Sequence, residues 1–298
     1  MTLVLTVNGP ETIFLAADRR LSSDGKPVRE DACKVMCLGT PDGTAILGYA
    51  GLGATGVGTQ PADWMSAVLR GRNLKLEDSL GTLSEAIKKE LPRHLVQLCG
   101  NSGPLHVVVA TAFVGAEARL YEIDMVFKPD RKSYRFRYTR HTRHPATMDP
   151  PRLFIGGSGA QYLVKNKNWK RGLLRILKAH DRGLISSETV ADQLAKVNHE
   201  VHLGMKDNSV GSRCVVVWRH GNKKGGGAAQ FYNGLVRDLN PASIPTISHG
   251  LDISAILGVL TPHFMDMVNP NHARTTMDDA AINSDLARLP EGPDEKLR

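Results

Sequence analysis

Segments with strand character and segments with helical character occur in separate blocks along this chain, and that order constrains the fold more than any other feature. Strand-like residues fill 2–50, two helical segments follow, strand-like residues return over 106–155, and two more helical segments precede a last strand pair. A sheet built from parallel βαβ units would instead alternate single strands with single helices. The order therefore predicts an α+β fold with two sheets packed face to face and the helix pairs outside them.

Turn residues divide the strand blocks. Thr2–Val7 and Thr12–Ala17 flank the turn sequence Asn8-Gly9-Pro10, which predicts a β-hairpin. A third strand is predicted over Ala32–Leu38, which contains Lys34. The other predicted strands are Ala45–Ala50, His106–Val114, Ala118–Phe127, Ser133–Thr139, Arg152–Ile155, Cys214–Trp218 and Ala228–Tyr232.

Apolar residues at helical spacing define the remaining blocks. The first helix is predicted to begin near Pro61, and the second to end or kink at Pro92. Two more helices are predicted over residues 160–180 and 187–205, with Ser186 or Ser187 as the N-cap of the later one.

The composition is that of a globular protein. Of 298 residues, 41% are hydrophobic and 23% are charged, which excludes a disordered or collagen-like chain. No apolar run approaches the ~20 residues that span a bilayer, and the N-terminus lacks the features of a secretory signal. Four cysteines form no CxxC pair, which is typical of reduced thiols, so we expect a cytoplasmic protein. The net charge of +8 permits an anionic partner.

The chain changes character near residue 236. We expect one domain over residues 2–235, because its strand and helix blocks follow one another without a linker. Residues 240–250 are loop-like, Asp252–His263 has the pattern of one helix, and the following stretch is charged and contains Pro290 and Pro293. Residues 236–298 are therefore predicted to form a C-terminal extension or arm that is partly flexible.

Residues near the N-terminus carry the sharpest functional signal. Thr2 follows the initiator Met, Asp18 ends the second predicted strand, and Lys34 lies in the third. A threonine hydroxyl needs a base beside it, and a free α-amine, with a pKa of about 7.7–8.0, can serve near neutral pH. After removal of Met1, Thr2 would carry nucleophile and base in one residue. Lys34 would bias that amine toward its neutral form, and Asp18 would pair with Lys34.

At these residues the sequence resembles the proteasome β-subunit family of N-terminal nucleophile hydrolases, including the HslV-type bacterial peptidases. Counted from the threonine, the family's catalytic Asp and Lys fall on Asp18 and Lys34 without a gap. Asp18-Arg19-Arg20 stands where the family has an Asp-Ser-Arg-like motif, and Ala50-Gly51 matches the Ala-Gly that supplies an oxyanion amide.

The later part of the chain continues this resemblance. Gly157-Ser158-Gly159 matches the family's Gly-Ser-Gly, while Asp207 and Ser209 approximate, at a different spacing, the Asp and Ser that close its site. Over residues 2–235 the resemblance implies a four-layer αββα sandwich with threonine-type endopeptidase activity. Ser158 and Asp207 would then position the amine. The substrate-binding residues implied are Arg20, Ser22 and Tyr49, although Ser22 equally suits a turn and Tyr49 equally suits the core.

The resemblance also implies partners and leaves alternatives open. It implies a ring of copies of this chain, a peptide or protein substrate, and an ATP-dependent unfoldase as a further candidate partner. The mechanism requires no cofactor and no metal. A small-molecule amidohydrolase on the same fold and a non-catalytic structural subunit are the two alternatives.

Two other patterns are better explained by structure than by function. Residues 131–144 interleave basic and aromatic side chains, as single-strand nucleic-acid platforms do. The strict alternation fits a strand with its aromatic residues facing the sheet interior, so nucleic acid is not expected as a partner. His199 and His202 are three residues apart, and we expect a surface or capping role for them rather than metal binding.

Overall fold

Two large β-sheets and a set of helices make up the fold, which is a mixed α+β structure. The computed structural model describes residues 2–23, 26–51, 60–98, 107–127, 134–141, 153–221, 225–239, 243–268 and 278–293. Within these ranges it describes the backbone alone at residues 22–23, 26–28, 90–98, 107, 125–127, 134–138, 141 and 267–268.

The strands form two large sheets and one small hairpin. In chain order they are β1 (Val4–Asn8), β2 (Thr12–Asp18), β3 (Leu21–Ser23), β4 (Lys26–Arg29), β5 (Val35–Thr40), β6 (Gly43–Ala50), β7 (Val107–Val114), β8 (Glu117–Phe127), β9 (Tyr134–His141), β10 (Leu153–Gly156), β11 (Arg213–His220), β12 (Gly227–Asn233), β13 (Val236–Arg237), β14 (Thr246–Ser248) and β15 (Leu251–Asp252). One sheet has the order β10-β1-β2-β11-β12-β13 and the other β15-β14-β5-β6-β7-β8-β9, while β3 and β4 pair with each other. All pairings are antiparallel except the parallel one between β14 and β5.

Seven helices lie in the described residues: α1 (Pro61–Leu69), α2 (Leu76–Leu98), α3 (Gly159–Lys165), α4 (Asn168–Asp181), α5 (Ser187–Gly204), α6 (Ile253–Val268) and α7 (Asp279–Leu286). Of the two alternatives predicted for Pro92, an end of the helix there was wrong, because α2 continues to Leu98. The helix predicted over residues 160–180 is two helices separated at Asn166 and Lys167. The cap at Ser186 is confirmed, since its side chain accepts a hydrogen bond from the Thr189 amide.

Three apolar clusters pack these elements together. One lies between the two large sheets and contains residues of both, such as Leu15 and Ile46. A second packs α1 and α2 on the seven-stranded sheet through residues such as Trp64 and Leu83. A third packs α3, α4 and α5 on the six-stranded sheet through residues such as Leu194. Burial on both faces explains why β2 is apolar at every position from Ile13 to Ala17 rather than alternating.

The β1–β2 hairpin brings the start of β1 next to the end of β2. Val4 pairs with Ala17 and Leu5 with Ala16, so the same register places Leu3 opposite Asp18. A slip of one residue would turn every side chain of a strand to the other face of its sheet. The hairpin predicted from the Asn8-Gly9-Pro10 turn is thus confirmed, and it determines which residue stands beside Thr2.

The strands between β2 and β6 differ from the sequence prediction in two ways. The third strand begins at Val35 rather than at Ala32, so Lys34 lies just before β5 and not within it. Its carbonyl nevertheless accepts a 2.9 Å hydrogen bond from the Tyr49 amide, in the register of the β5–β6 pairing. The sequence analysis also missed the hairpin of β3 and β4, whose strands are only three and four residues long.

Part of the predicted C-terminal arm is integrated into the fold. Within residues 236–298, β14 pairs with β5, and Ile247 is fully buried in the cluster under α1 and α2. The helix predicted over Asp252–His263 is α6, which extends to Val268. Chain beyond residue 235 therefore completes the seven-stranded sheet. In the described part of the chain, no helix combines the length and apolar character needed to cross a membrane.

Candidate active site

Thr2 lies two residues before β1 and is 2% exposed. Its backbone nitrogen donates a 3.2 Å hydrogen bond to Oγ of Ser158, and its carbonyl accepts a bond from the Gly159 amide. Gly157, with φ of +85°, packs so closely on Thr2 that a Cβ at this position would lie 2.1 Å from the Thr2 carbonyl oxygen. Only glycine fits there, because no other residue tolerates both the conformation and the contact.

Asp18 is fully buried and its carboxylate accepts four hydrogen bonds. Oδ1 accepts from the Leu3 amide at 2.8 Å and from Nζ of Lys34 at 3.0 Å. Oδ2 accepts from the amides of Arg20 and Gly211 at 3.1 and 3.2 Å. Three backbone amides from three separate segments therefore hold this carboxylate in one orientation, and its lone pairs are satisfied without water.

Lys34 joins Asp18 to the hydroxyl of Thr2. Its Nζ donates to Oδ1 of Asp18 and also to Oγ1 of Thr2. The Lys34 side chain is only 2% exposed. Burial lowers the pKa of Lys34, and the neighbouring Asp18 carboxylate opposes that effect. The ammonium group thus lies in direct contact with the hydroxyl oxygen whose reactivity it is predicted to control.

Ser158 and Ser209 form a chain of hydroxyls that ends on the Thr2 nitrogen. The two Oγ atoms are 3.1 Å apart, and Ser158 is the residue that accepts from the Thr2 nitrogen. Oδ1 of Asp207 accepts a 3.0 Å bond from the Ser209 amide. Asp207 therefore bonds the backbone of Ser209, and Ser158 is the one of the three that bonds Thr2 directly. The role of Ser158 and Asp207 in positioning the amine stays a prediction.

Gly51 directly follows β6 and has a φ of +149°. Ala50, the residue before it, lies beside Gly157, since a Cβ placed on Gly157 would be 3.5 Å from that of Ala50. This contact places the end of β6 close to Thr2. The oxyanion role of the Gly51 amide stays a prediction.

The three predicted substrate-binding residues lie in different surroundings. The Arg20 guanidinium is buried, where it bonds Oε1 of Glu30 and the Asn208 carbonyl, each at 2.6 Å. Tyr49 is buried in the cluster that packs α1 and α2 on the seven-stranded sheet, which matches the core alternative. The backbone of Ser22 lies in β3, and its side chain is outside what the structure describes. Direct substrate contact by these residues stays a prediction.

Sequence reasoning missed several groups that hold the site. The amides of Leu3, Arg20 and Gly211 all donate to Asp18, and backbone donors leave no signature in residue type. The one sequence feature that could have pointed to Gly211 is its position just after the polar segment Asp207-Asn208-Ser209. A Cβ at Gly211 would lie 2.8 Å from Cβ of Arg20, so only glycine can approach this closely.

The arrangement can bind and activate a hydroxyl nucleophile. The Lys34 ammonium is within hydrogen-bond distance of both the Thr2 hydroxyl and the buried Asp18 carboxylate. The Thr2 nitrogen is within hydrogen-bond distance of the Ser158 hydroxyl. Among the described residues, no cluster of three or more His, Cys, Asp or Glu side chains has the geometry to hold a metal ion.

Comparisons with known proteins give little beyond this geometry. No model of a known protein family matches the chain, and no curated protein matches it. One solved structure that it resembles is Anbu, an ancestral β-subunit, from Yersinia bercovieri, at 14% identity and a TM-score of 0.45, over 72% of this chain and 80% of that one. Another is the Anbu (Gly-1) mutant from Hyphomicrobium sp. strain MC1, at 12% identity and a TM-score of 0.43, over 74% and 83%.

These comparisons correct the family assignment made from the sequence. The assignment to the proteasome β-subunit and HslV-type family was wrong, because no family model matches the chain and the two solved structures named above are Anbu proteins at 14% and 12% identity. The spacing of a few catalytic residues does not by itself identify a family.

Proposed function

We propose that this protein is an N-terminal threonine hydrolase that cleaves peptide bonds. The observation that carries the proposal is the double contact of Lys34, whose Nζ donates both to the Thr2 hydroxyl and to the Asp18 carboxylate in a buried site. A structural salt bridge between two strands would need the contact with Asp18 only. Contact with a hydroxyl at residue 2 is the feature that a threonine nucleophile requires.

The proposed reaction begins with the α-amine of Thr2, which is free once Met1 has been removed. As Oγ1 of Thr2 bonds to the carbonyl carbon of the substrate, the amine accepts the hydroxyl proton. The carbonyl π electrons move onto oxygen, and the Gly51 amide would stabilise that oxyanion, a type of contact worth about 3–4 kcal/mol. When the C–N bond breaks, the leaving amine takes the proton and the acyl group remains as an ester on Thr2.

Water completes the cycle. The α-amine, again neutral, takes a proton from water as the water oxygen bonds to the ester carbon. As the C–O bond to Thr2 breaks, the α-ammonium returns that proton to Oγ1, which releases the carboxylic acid and restores the hydroxyl and the neutral amine. Lys34 keeps its ammonium beside Oγ1 throughout, while Ser158, held by Ser209, keeps the Thr2 nitrogen in place.

The layer arrangement belongs to the same proposal. Two sheets share one apolar cluster, and each carries helices on its other face. These contacts support a four-layer αββα sandwich of the N-terminal nucleophile type, with the site at the end of the sheet interface.

We also propose that copies of the chain assemble into a ring. The supporting observation is α6, a helix rich in apolar residues in which Leu257, Phe264 and Met265 are 54%, 47% and 62% exposed. If the active sites face the inside of a ring, only unfolded segments of a substrate would reach them. An unfoldase would then deliver the substrate. A smaller oligomer acting on small amides is the alternative.

An active-site electrophile tests the proposal directly. A β-lactone carries a strained ester that a hydroxyl nucleophile opens, so the whole lactone mass should appear on the N-terminal peptide that begins with Thr2. Thr2→Ala should give no adduct and no hydrolysis of fluorogenic peptides. A wild-type protein that keeps Met1 and forms no adduct would contradict the proposal and favour a non-catalytic subunit. Turnover of small amides without peptides would favour the amidohydrolase.

A further inference from the structure

The loop of Asp207–Gly211, between α5 and β11, contacts the candidate site at two places. Oγ of Ser209 bonds Oγ of Ser158, which holds the Thr2 nitrogen. The amide of Gly211 bonds Oδ2 of Asp18, the partner of Lys34. Whatever holds this loop therefore holds both the nitrogen side and the carboxylate side of the site.

A single peptide unit connects α5 to Asp18. The carbonyl of Val210 and the amide of Gly211 belong to the same planar peptide, and they point in opposite directions. The amide donates to Oδ2 of Asp18 at 3.2 Å, and the carbonyl accepts from Nδ1 of His202 at 2.9 Å. Because a carbonyl only accepts, Nδ1 of His202 must carry the hydrogen. His202 thus fixes the orientation in which the amide faces Asp18.

A second side chain on the same helix face supports the next carbonyl. Asn198, one helical turn before His202, is 2% exposed, and its Nδ2 donates to the Gly211 carbonyl at 3.1 Å. Residues four apart on a helix are neighbours on one face. His202 and Asn198 therefore hold consecutive carbonyls, and Gly211 is bonded through both its amide and its carbonyl.

We propose that His202 is a positioning residue of the threonine hydrolase: through the Val210–Gly211 peptide it orients Asp18 and, through Asp18, the Lys34 ammonium at Thr2. This inference rests on the proposed function. Without the donor at His202 the Val210 carbonyl loses its partner, and the peptide is held only through the two bonds of Gly211. A peptide that rotates would present a carbonyl oxygen to the Asp18 carboxylate. Asp18 would then move away from it, and Lys34 would lose its alignment with the Thr2 hydroxyl.

Two substitutions separate the donor from the bulk of the side chain. His202→Leu removes the donor, whereas His202→Asn keeps one, because the asparagine amide nitrogen is as many bonds from Cα as Nδ1. With a fluorogenic peptide, His202→Leu should lower kcat by about 10- to 100-fold with little change in KM, since one hydrogen bond in a charged network is lost. His202→Asn should recover most of that loss.

His199→Leu is the matched control. His199 lies three residues earlier on α5, with its ring centroid 6.2 Å from that of His202, and its buried Nδ1 has no hydrogen-bond partner. It does not bond the loop, so its replacement should leave kcat close to wild type. If His202→Leu fails to fold, His202→Asp replaces it, since aspartate has the shape of asparagine without the donor.

The Gly211 amide gives a readout that does not depend on activity. In spectra of protein labelled with ¹⁵N-glycine, its proton resonance should shift in His202→Leu, return in His202→Asn and stay in place in His199→Leu. An unmoved resonance, or a kcat that His202→Asn does not restore, would overturn the positioning role. If the wild type hydrolyses nothing but the resonance follows this pattern, the proposed function fails while the contact stands.

Discussion

Leu3 and Asp18 hold each other through two hydrogen bonds. The Leu3 amide donates to Oδ1 of Asp18 at 2.8 Å, and the Asp18 amide donates to the Leu3 carbonyl at 3.1 Å. The second bond continues the ladder of the β1–β2 hairpin, and the first couples that ladder to a side chain. The hairpin register therefore places Asp18 beside Thr2, and the amides of Arg20 and Gly211 complete the hold on its carboxylate.

Removal of Met1 is the first prediction, because the proposed base is the α-amine of Thr2. An amide nitrogen, as it exists while Met1 is attached, has no lone pair available for a proton. Intact-mass measurement of the purified protein should give the 32.4 kDa chain less one methionine. Retention of Met1 in most molecules would remove the base and with it the catalytic role, while leaving the fold unaffected.

The Thr2 hydroxyl is the subject of the second prediction. Thr2→Ala should abolish peptide hydrolysis, whereas Thr2→Ser should keep measurable turnover because it retains the hydroxyl that Lys34 contacts. Both variants should unfold near the wild-type urea midpoint, since the changed atoms contribute little to the apolar clusters. Thr2→Ala with wild-type turnover would show that the nucleophile lies elsewhere. Lys165→Ala, on an exposed lysine of α3, serves as a surface control.

The third prediction concerns Lys34 and the pH dependence of stability. Burial lowers its pKa below the model-compound value of 10.5, so between the lowered pKa and 10.5 the unfolded chain binds more protons than the folded one. Stability attributable to Lys34 must therefore rise with pH through that window. Compared with Lys34→Met by urea unfolding, the wild type should gain free energy of unfolding as the pH is raised toward 10.5. A constant difference between the two proteins would mean that the pKa of Lys34 is not lowered.

Gly157 gives the fourth prediction. Gly157→Ala places a Cβ 2.1 Å from the Thr2 carbonyl oxygen at a φ of +85°, so it should cost more than about 1 kcal/mol of stability and displace Thr2. Gly172→Ala is the control, because Gly172 is exposed within α4 and a Cβ there meets nothing within 4 Å. That change should stabilise the protein by about 0.5–1 kcal/mol. Similar urea midpoints for the two variants would contradict the close packing at Thr2.

The parts of the site that the sequence predicts are those set by local register. The Asn8-Gly9-Pro10 turn and the apolar runs beside it place Asp18 next to residue 2, and the residue types of Thr2 and Lys34 indicate the chemistry. The hydroxyls of Ser158 and Ser209 were anticipated only through a resemblance, and that resemblance did not identify the family. Shared spacing is compatible with more than one group of proteins.

What the sequence did not predict depends on long-range contacts. The bond from Gly211 to Asp18 joins residues 193 positions apart, and neither residue type indicates it. Pro92 was expected to end or kink α2, and the helix does not end there but continues to Leu98. The parallel pairing of β14 with β5 was also not predicted, because a strand of three residues after a loop is too short to show a recognisable hydrophobic pattern.

The last prediction distinguishes the surface of the C-terminal segment from its buried part. If copies of the chain associate through α6, replacing Leu257 and Met265 together by serine should lower the molar mass measured by light scattering at micromolar concentration. The circular dichroism spectrum and the urea midpoint should not change, because both side chains are more than half exposed. Ile247→Ser is the contrasting variant, since Ile247 is fully buried, and it should destabilise the fold itself by about 2–5 kcal/mol. An unchanged molar mass in the α6 double variant would exclude this helix as the association surface, and a monomeric wild type would favour the small amidohydrolase over a ring.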